Sequence, residues 1–191
     1  MLEILGILSG VIALYSSYEY IKDILKGNTK PHRIAWIIFI TLSGISFFAQ
    51  LAEGATNSLW VPAVLFTQAI IIFALSIKRG IGGFSTYNII SLVLSVLIMI
   101  VWVITKSPAI AIMCTVSVNT IGKIMVAIKV YKLPHSEYLP TWLYSVVASI
   151  LSAMAVGKMD WILLLTPIQN AITVGAIAAI IIYRRKVSAI K

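Results

Sequence analysis

Four carboxamides lie in stretches that otherwise read as lipid: Gln68 in LFTQAII, Asn119 in VSVNTIG, and Gln169 beside Asn170 in TPIQNAI. An amide side chain carries four hydrogen-bonding sites and hydrocarbon satisfies none of them. Each therefore needs a partner inside the protein or a polar solute passing through it. Residues three, four or seven apart share a helical face, which places Thr115, Asn119 and Lys123 on one stripe and Ser43, Ser46 and Gln50 on another. Ser145, Ser149 and Ser152 form a third stripe, while Thr67 joins Gln68 and Thr173 joins the Gln169–Asn170 pair. The chemistry open to such groups is solvation of a small polar solute. Bond making is not indicated, since no Ser/His/Asp set, His/Glu metal motif or paired aspartates fall within the apolar stretches and nothing resembles a nucleotide-binding loop. The chain reads as a non-enzyme without a cofactor. A purely structural account also exists for the serines and threonines, which bond their own i−4 carbonyl or let membrane helices pack closely; the amides fit that account less well.

Two charges join the list. Lys123 falls about seven residues inside one end of its apolar segment and Glu19 about a turn inside the end of another, where a charge at the helix centre costs roughly 2.5–3.5 kcal/mol on insertion scales. One reading pairs Glu19 with Lys123 as a gate closing the cytoplasmic mouth. The other has Lys123 snorkel to the headgroups on its long stem.

The elements that must position these residues follow from composition. With 60% apolar residues and a mean hydropathy of +1.02 over 191 residues, the chain has too little polar surface to cover a soluble globule. Runs of about 20 mostly apolar residues, the length a spanning helix needs, occur at 2–22, 34–53, 58–77, 84–105, 108–130, 139–157 and 161–183. Twelve basic residues follow alternate runs: Lys22, Lys26, Lys30 and Arg33; Lys78 and Arg79; Lys129 and Lys132; Arg184, Arg185, Lys186 and Lys191. The other loops hold only Lys106 and Lys158. Lys and Arg in short loops stay inside, so the N-terminus is expected outside and the C-terminus cytoplasmic, in a plasma or inner membrane. The net charge of +9 then faces anionic lipid headgroups, and nucleic acid is not an expected partner. The first run lacks a basic n-region and reads as a retained helix. Cys114 reads as a packing residue, His32 and His135 as loop histidines without metal, and Trp36, Trp60, Trp142 and Trp161 as interfacial belt residues.

An internal repeat organises the runs. Trp142 lies 106 residues after Trp36, and Pro167 lies 105 after Pro62. The third run of each set ends in a basic cluster, IKRG and YRRK, and YKLPHSEYLPTW echoes the loop KPHRIAW. Residues 1–83 and 107–191 are then two three-helix repeats of like orientation, with 84–106 a connector helix that offers, between its ends, only Ser91, Ser95 and Trp102. The expected fold is an all-α membrane protein of seven transmembrane helices, as two parallel three-helix bundles joined 3-1-3. Transporters of this kind place their sites near the midplane between repeats.

This arrangement resembles the SWEET and PQ-loop superfamily of seven-helix transporters, although the Pro-Gln pair is absent from Tyr18–Tyr20 and from Met125–Val126. The resemblance implies a facilitative carrier for a small polar solute such as a sugar, working by alternating access between the two bundles. It also implies a pocket near Phe48 and Thr67 in the first repeat and near Met154 and Ile172 in the second. The expected binding residues are Asn119, Asn170, Gln169, Thr67, Gln68, Phe48, Gln50 and Thr173, with Glu19 and Lys123 gating. The same resemblance admits a proton-coupled amino-acid or vitamin carrier, and a non-transporting receptor or scaffold.

Overall fold

The computed structural model of the protein describes residues 1–29, 31, 33–80, 86–135 and 137–188. Expectations for Lys30, His32 and Lys191, and for the side chains of Ser91, Ser95, Trp102 and Lys129, lie outside the described residues. Seven α-helices make up the fold: α1 Leu2–Leu25, α2 Arg33–Ala52, α3 Trp60–Arg79, α4 Thr86–Thr105, α5 Pro108–Lys132, α6 Leu139–Ala155 and α7 Trp161–Ser188. A 3-10 turn, Asn57–Leu59, precedes α3, and there is no strand among the described residues. Four helical stretches are long and apolar enough to cross a membrane: Leu2–Leu25, Asn57–Arg79, Pro108–Lys132 and Trp161–Val187. By length and composition this is an integral membrane protein. α1 and α7 run past the apolar stretches at 2–22 and 161–183. The charged residues that mark the end of hydrocarbon there do not end a helix, whose backbone bonds persist into water.

Local sequence sets the ends. Pro108 opens α5, and α6 carries Pro140 in its first turn, positions where a missing N–H removes no helical bond. Gly54 and Gly157 follow α2 and α6 at φ 83° and 71°, a left-handed geometry that closes a helix and disfavours a side chain. Asp160 caps α7, its Oδ1 accepting from the N–H groups of Ile162 and Leu163 at 3.2 Å each while Oδ2 meets Lys158 at 3.1 Å. The Leu163 N–H and then the Lys158 ammonium hold its carboxyl below the usual carboxylate range. A depressed folded-state pKa contributes stability above the unfolded value of about 4 that is lost as pH falls through the folded one. Asp160→Ala is therefore expected to unfold at a lower temperature than wild type at pH 7. The gap should close below pH 4, as read by thermal unfolding in detergent across that range.

Polarity is turned inward. Ser9, Ser16, Ser17, Ser46, Gln50, Ser149 and Ser152 are buried, while Ile4, Val11, Ile77, Ile104 and Ile172 are exposed. That is the pattern of a bundle whose solvent is lipid. Small residues let the helices approach: a Cβ on Gly6 would collide with the Asn57 carbonyl oxygen, and one on Gly10 would meet Trp60 at 2.8 Å.

α3 packs on α1 and α2, and α7 packs on α5 and α6. Across the bundle, α1 packs on α6 and α2 on α5, the first contact being the more extensive. α4 rests on α5 and α2, joined through Ile98, Leu42, Ile45 and Ile112, and Cys114 packs against this cluster. Two further apolar clusters close the Lys/Arg-rich end. One holds Tyr20 and Ile24 of α1, Trp36 of α2, and Ile72 and Leu75 of α3. The other holds Val126 and Val130 of α5, Trp142 of α6, and Ile177 and Ile180 of α7. Every member of the first has its counterpart in the second 106 residues on for α1 and α2, and 105 for α3. The caps correspond too: Arg79 donates to the Ile24 and Leu25 carbonyls and Arg184 to that of Tyr131, closing the C-termini of α1 and α5. Trp36 and Trp142 are thus packed within clusters, and among the expected belt tryptophans Trp60 and Trp161 are the exposed ones.

Candidate functional site

Above these clusters, away from the basic end, lies a cavity of about 70 Å³. By the rule of ~10–15 Å³ per water it has room for on the order of five waters. Five helices wall it. α2 supplies Ser43, Ser46 and Gln50, each a turn from the next on one face, and α6 supplies Ser149 and Ser152. α5 contributes Asn119 and Lys123, one turn apart. The first turn of α3 brings Val61 and Pro62 and the second turn of α7 brings Thr166 and Pro167, with Leu65, Gln169 and Asn170 a turn deeper. Pro167 lies inside α7, where its ring removes an N–H from the helical ladder. A smaller void adjoins this one and is lined by Ala13, Ser16 and Gln68 together with Ser149 and Asn170.

The scaffold of the cavity is paired across the sequence. Ser43 and Ser149, and Ser46 and Ser152, lie 106 apart; Pro62 and Pro167, Val61 and Thr166, and Leu65 and Asn170 lie 105 apart. The serines and prolines repeat, but the remaining chemistry does not. Where α3 has Val61 and Leu65, α7 has Thr166 and Asn170. Where α1 has Ala13 and Ser17, α5 has Asn119 and Lys123, again 106 on. The α3 wall of the cavity is therefore apolar, whereas α5 and α7 carry a cation and amides.

Hydrogen bonds join that polar side. The Lys123 ammonium donates to Asn170 Oδ1, and Asn170 Nδ2 donates to Ser149 Oγ at 2.7 Å, linking α5, α7 and α6. Gln169 Nε2 donates to Thr120 Oγ1 at 2.9 Å, a second α7–α5 tie. Gln50 turns back on its own helix, donating to the Ser46 carbonyl and to Ser46 Oγ at 3.1 and 2.9 Å. Gln68, which lines the adjoining void, accepts at Oε1 from Ser17 Oγ at 2.8 Å. Among the described residues two cavity groups remain open: the Asn119 amide has no hydrogen-bond partner, and Thr166 Oγ1 is buried without one.

The structure thus gathers Asn119, Gln169, Asn170, Gln50 and Lys123 at the cavity and Gln68 at its neighbour. It does not gather the others. Phe48 is 48% exposed and packs edge-on against Phe47 and Phe66, because the cavity face of α2 is the one through Ser43, Ser46 and Gln50. Thr67 is exposed with its hydroxyl on the Ala63 carbonyl, and Thr173 bonds the Gln169 carbonyl; both satisfy their own helix. The Glu19–Lys123 ion pair is not formed. Glu19 meets Lys22 at 3.3 Å one turn along α1, which packs on α3 and α6, and Lys123 turns into the cavity. In this conformation the Lys123 ammonium is directed to Asn170 of α7. Sequence reasoning gave too little weight to Ser43, Ser46, Ser149 and Ser152; their common 106-residue offset was the signal available.

Comparison of the chain with protein-family models, with curated proteins and with solved structures finds no match.

Proposed function

We propose that this protein is a membrane carrier for a small polar solute, α1–α3 and α5–α7 forming two like-oriented three-helix units that rock about the cavity, with α4 as connector. The observation that carries the reading is the cavity itself: both units wall it, its serines and prolines correspond, and the Asn119 amide and Thr166 hydroxyl inside it have no hydrogen-bond partner among the described residues. The packing agrees, since the third helix of each unit lies against the other two, and the first helix of each packs on the second helix of the other. With the basic end cytoplasmic, the conformation faces outward. The matched apolar clusters around Ile72 and Ile177 then close the inner mouth in place of an ion pair. The opposite conformation would open these clusters and close the turns around Pro62 and Pro167. A receptor or scaffold on the same fold has less support, because it has no use for open amide and hydroxyl groups at mid-depth.

A solute-independent test uses the chain's one cysteine, Cys114, replaced by serine. In that background Ser46→Cys or Asn119→Cys is treated with a membrane-impermeant thiol reagent from either side of oriented vesicles. A carrier is expected to react from both sides, more slowly from the cytoplasmic one. Reaction from one side alone would defeat alternating access, and no reaction from either would favour a closed scaffold.

A further inference from the structure

We infer that the solute is a small organic anion whose carboxylate pairs with Lys123, an inference that rests on the carrier reading above and narrows it. Lys123 is the one ionisable side chain among the described residues that line the cavity. Its hydrogen-bond partner is the neutral oxygen of Asn170. A buried ammonium without a counterion is costly, and removing either member of a buried pair leaves the other charge uncompensated. The chain has six acidic residues, and none of them serves. Glu19 is held by Lys22, Asp23 by Asn28 and Thr29, and Asp160 by Lys158. Glu3 is in the first turn of α1, Glu53 follows α2, and Glu137 lies in the loop before α6. No protein carboxylate supplies the countercharge, so the cavity leaves that role to the ligand.

The rest of the wall describes that ligand. Asn119 offers an unused amide one turn from Lys123 on α5, and the unpartnered Thr166 hydroxyl adds a further polar group. These are groups that hydrogen-bond a carboxylate or a hydroxyl beside it. On α3 the wall is Val61, Pro62 and Leu65, which suit a short carbon frame and offer no polar side chain to an inorganic oxyanion such as phosphate. Space for on the order of five waters sets the size at a monocarboxylate of a few carbons. The difference between the two third helices acquires a purpose here: α5 and α7 hold the charged head and α3 holds the frame.

The experiment reconstitutes the full chain in liposomes and follows counterflow of radiolabelled glycolate, lactate and 3-hydroxybutyrate at pH 7.5. Phosphate and the neutral polyol erythritol are run as separate arms. Uptake of at least one carboxylate should exceed that of protein-free vesicles more than tenfold, with phosphate and erythritol at background. Lys123→Gln should lose at least tenfold, and Lys123→Arg should keep most of the rate. Asn170→Asp supplies an internal countercharge and a second acceptor. It should fold and still lose carboxylate flux, which keeps the inference testable should Lys123→Gln fail to fold. Flux of erythritol without carboxylate overturns the anion and leaves the carrier standing. Phosphate flux in place of carboxylate, or full activity in Lys123→Gln, overturns the inference as well. If no solute passes, the carrier reading falls, and the anion site is decided by binding. A carboxylate-dependent rise in unfolding temperature present in wild type and absent in Lys123→Gln supports it, and no such rise overturns it.

Discussion

Asn170→Leu is expected to be among the most damaging single substitutions in the membrane interior. Asn170 takes the Lys123 ammonium on its oxygen and gives its N–H to Ser149, so one side chain ties α5 to α7 and α7 to α6. Leucine is similar in size and is the residue that stands at the matched position 65, so the change is mainly one of polarity. It deletes a hydrogen bond from a charged donor and a second one to a buried hydroxyl. Bonds to charged groups contribute roughly 1.5–3 kcal/mol each, and the loss should appear at about that scale in a reversible detergent-unfolding titration.

The stronger form of this prediction is a double-mutant cycle. If the damage comes from stranding Lys123, then Lys123→Met added to Asn170→Leu should recover much of the lost stability, because no buried charge is left to solvate. Strict additivity of the two changes would show that the Lys123–Asn170 contact carries no coupling. In that event Asn170 would be a packing residue, and the polar side of the cavity would need another explanation.

Much of this was legible in the sequence because hydrocarbon is an exacting solvent. The apolar runs had to be about as long as a bilayer is thick, so their limits lie within a few residues of α2 to α6. The amides and Lys123 stood out for the same reason. What one dimension hides is rotation about each helix axis. Thr67 and Gln68 are neighbours in sequence yet one faces outward and the other inward, and a pattern borrowed from the superfamily that the sequence resembles placed Phe48 in a pocket it does not reach. The Glu19–Lys123 gate rested on equivalent helices facing each other. Instead α1 meets α6 and α5 meets α2, so the lysine and the glutamate belong to different seams. Extending the Trp36–Trp142 and Pro62–Pro167 offset to every residue would have paired Ser43 with Ser149 and Lys123 with Ser17. That shows which polar groups are scaffold and which are peculiar to one unit.

Exchange of anion for anion is expected to outrun net anion flux by tenfold or more, and to do so through Lys123. In the proposed cycle the cavity must pass through an occluded conformation twice, once loaded and once empty. Loaded, the ammonium and the carboxylate compensate each other. Empty, Lys123 is left with the Asn170 oxygen and whatever water the cavity of about 70 Å³ retains. A bare lysine at the centre of a helix costs roughly 2.5–3.5 kcal/mol on insertion scales, and each 1.36 kcal/mol on a barrier is tenfold in rate. Even if water offsets half of that cost, the empty return is about tenfold slower than the loaded one. Preloading vesicles with the carried carboxylate should accordingly accelerate uptake by that factor, whereas Lys123→Gln should bring exchange and net flux close to equality at a low common rate. Net flux would also respond to a potassium-diffusion potential, since it moves one charge and 100 mV acts on that charge with about 2.3 kcal/mol, while one-for-one exchange would not. Equal rates of exchange and net flux in the wild type would mean that the empty cavity reorients without difficulty. Lys123 would then have to lose its charge during the return, and a steep rise of net flux with pH would be its sign.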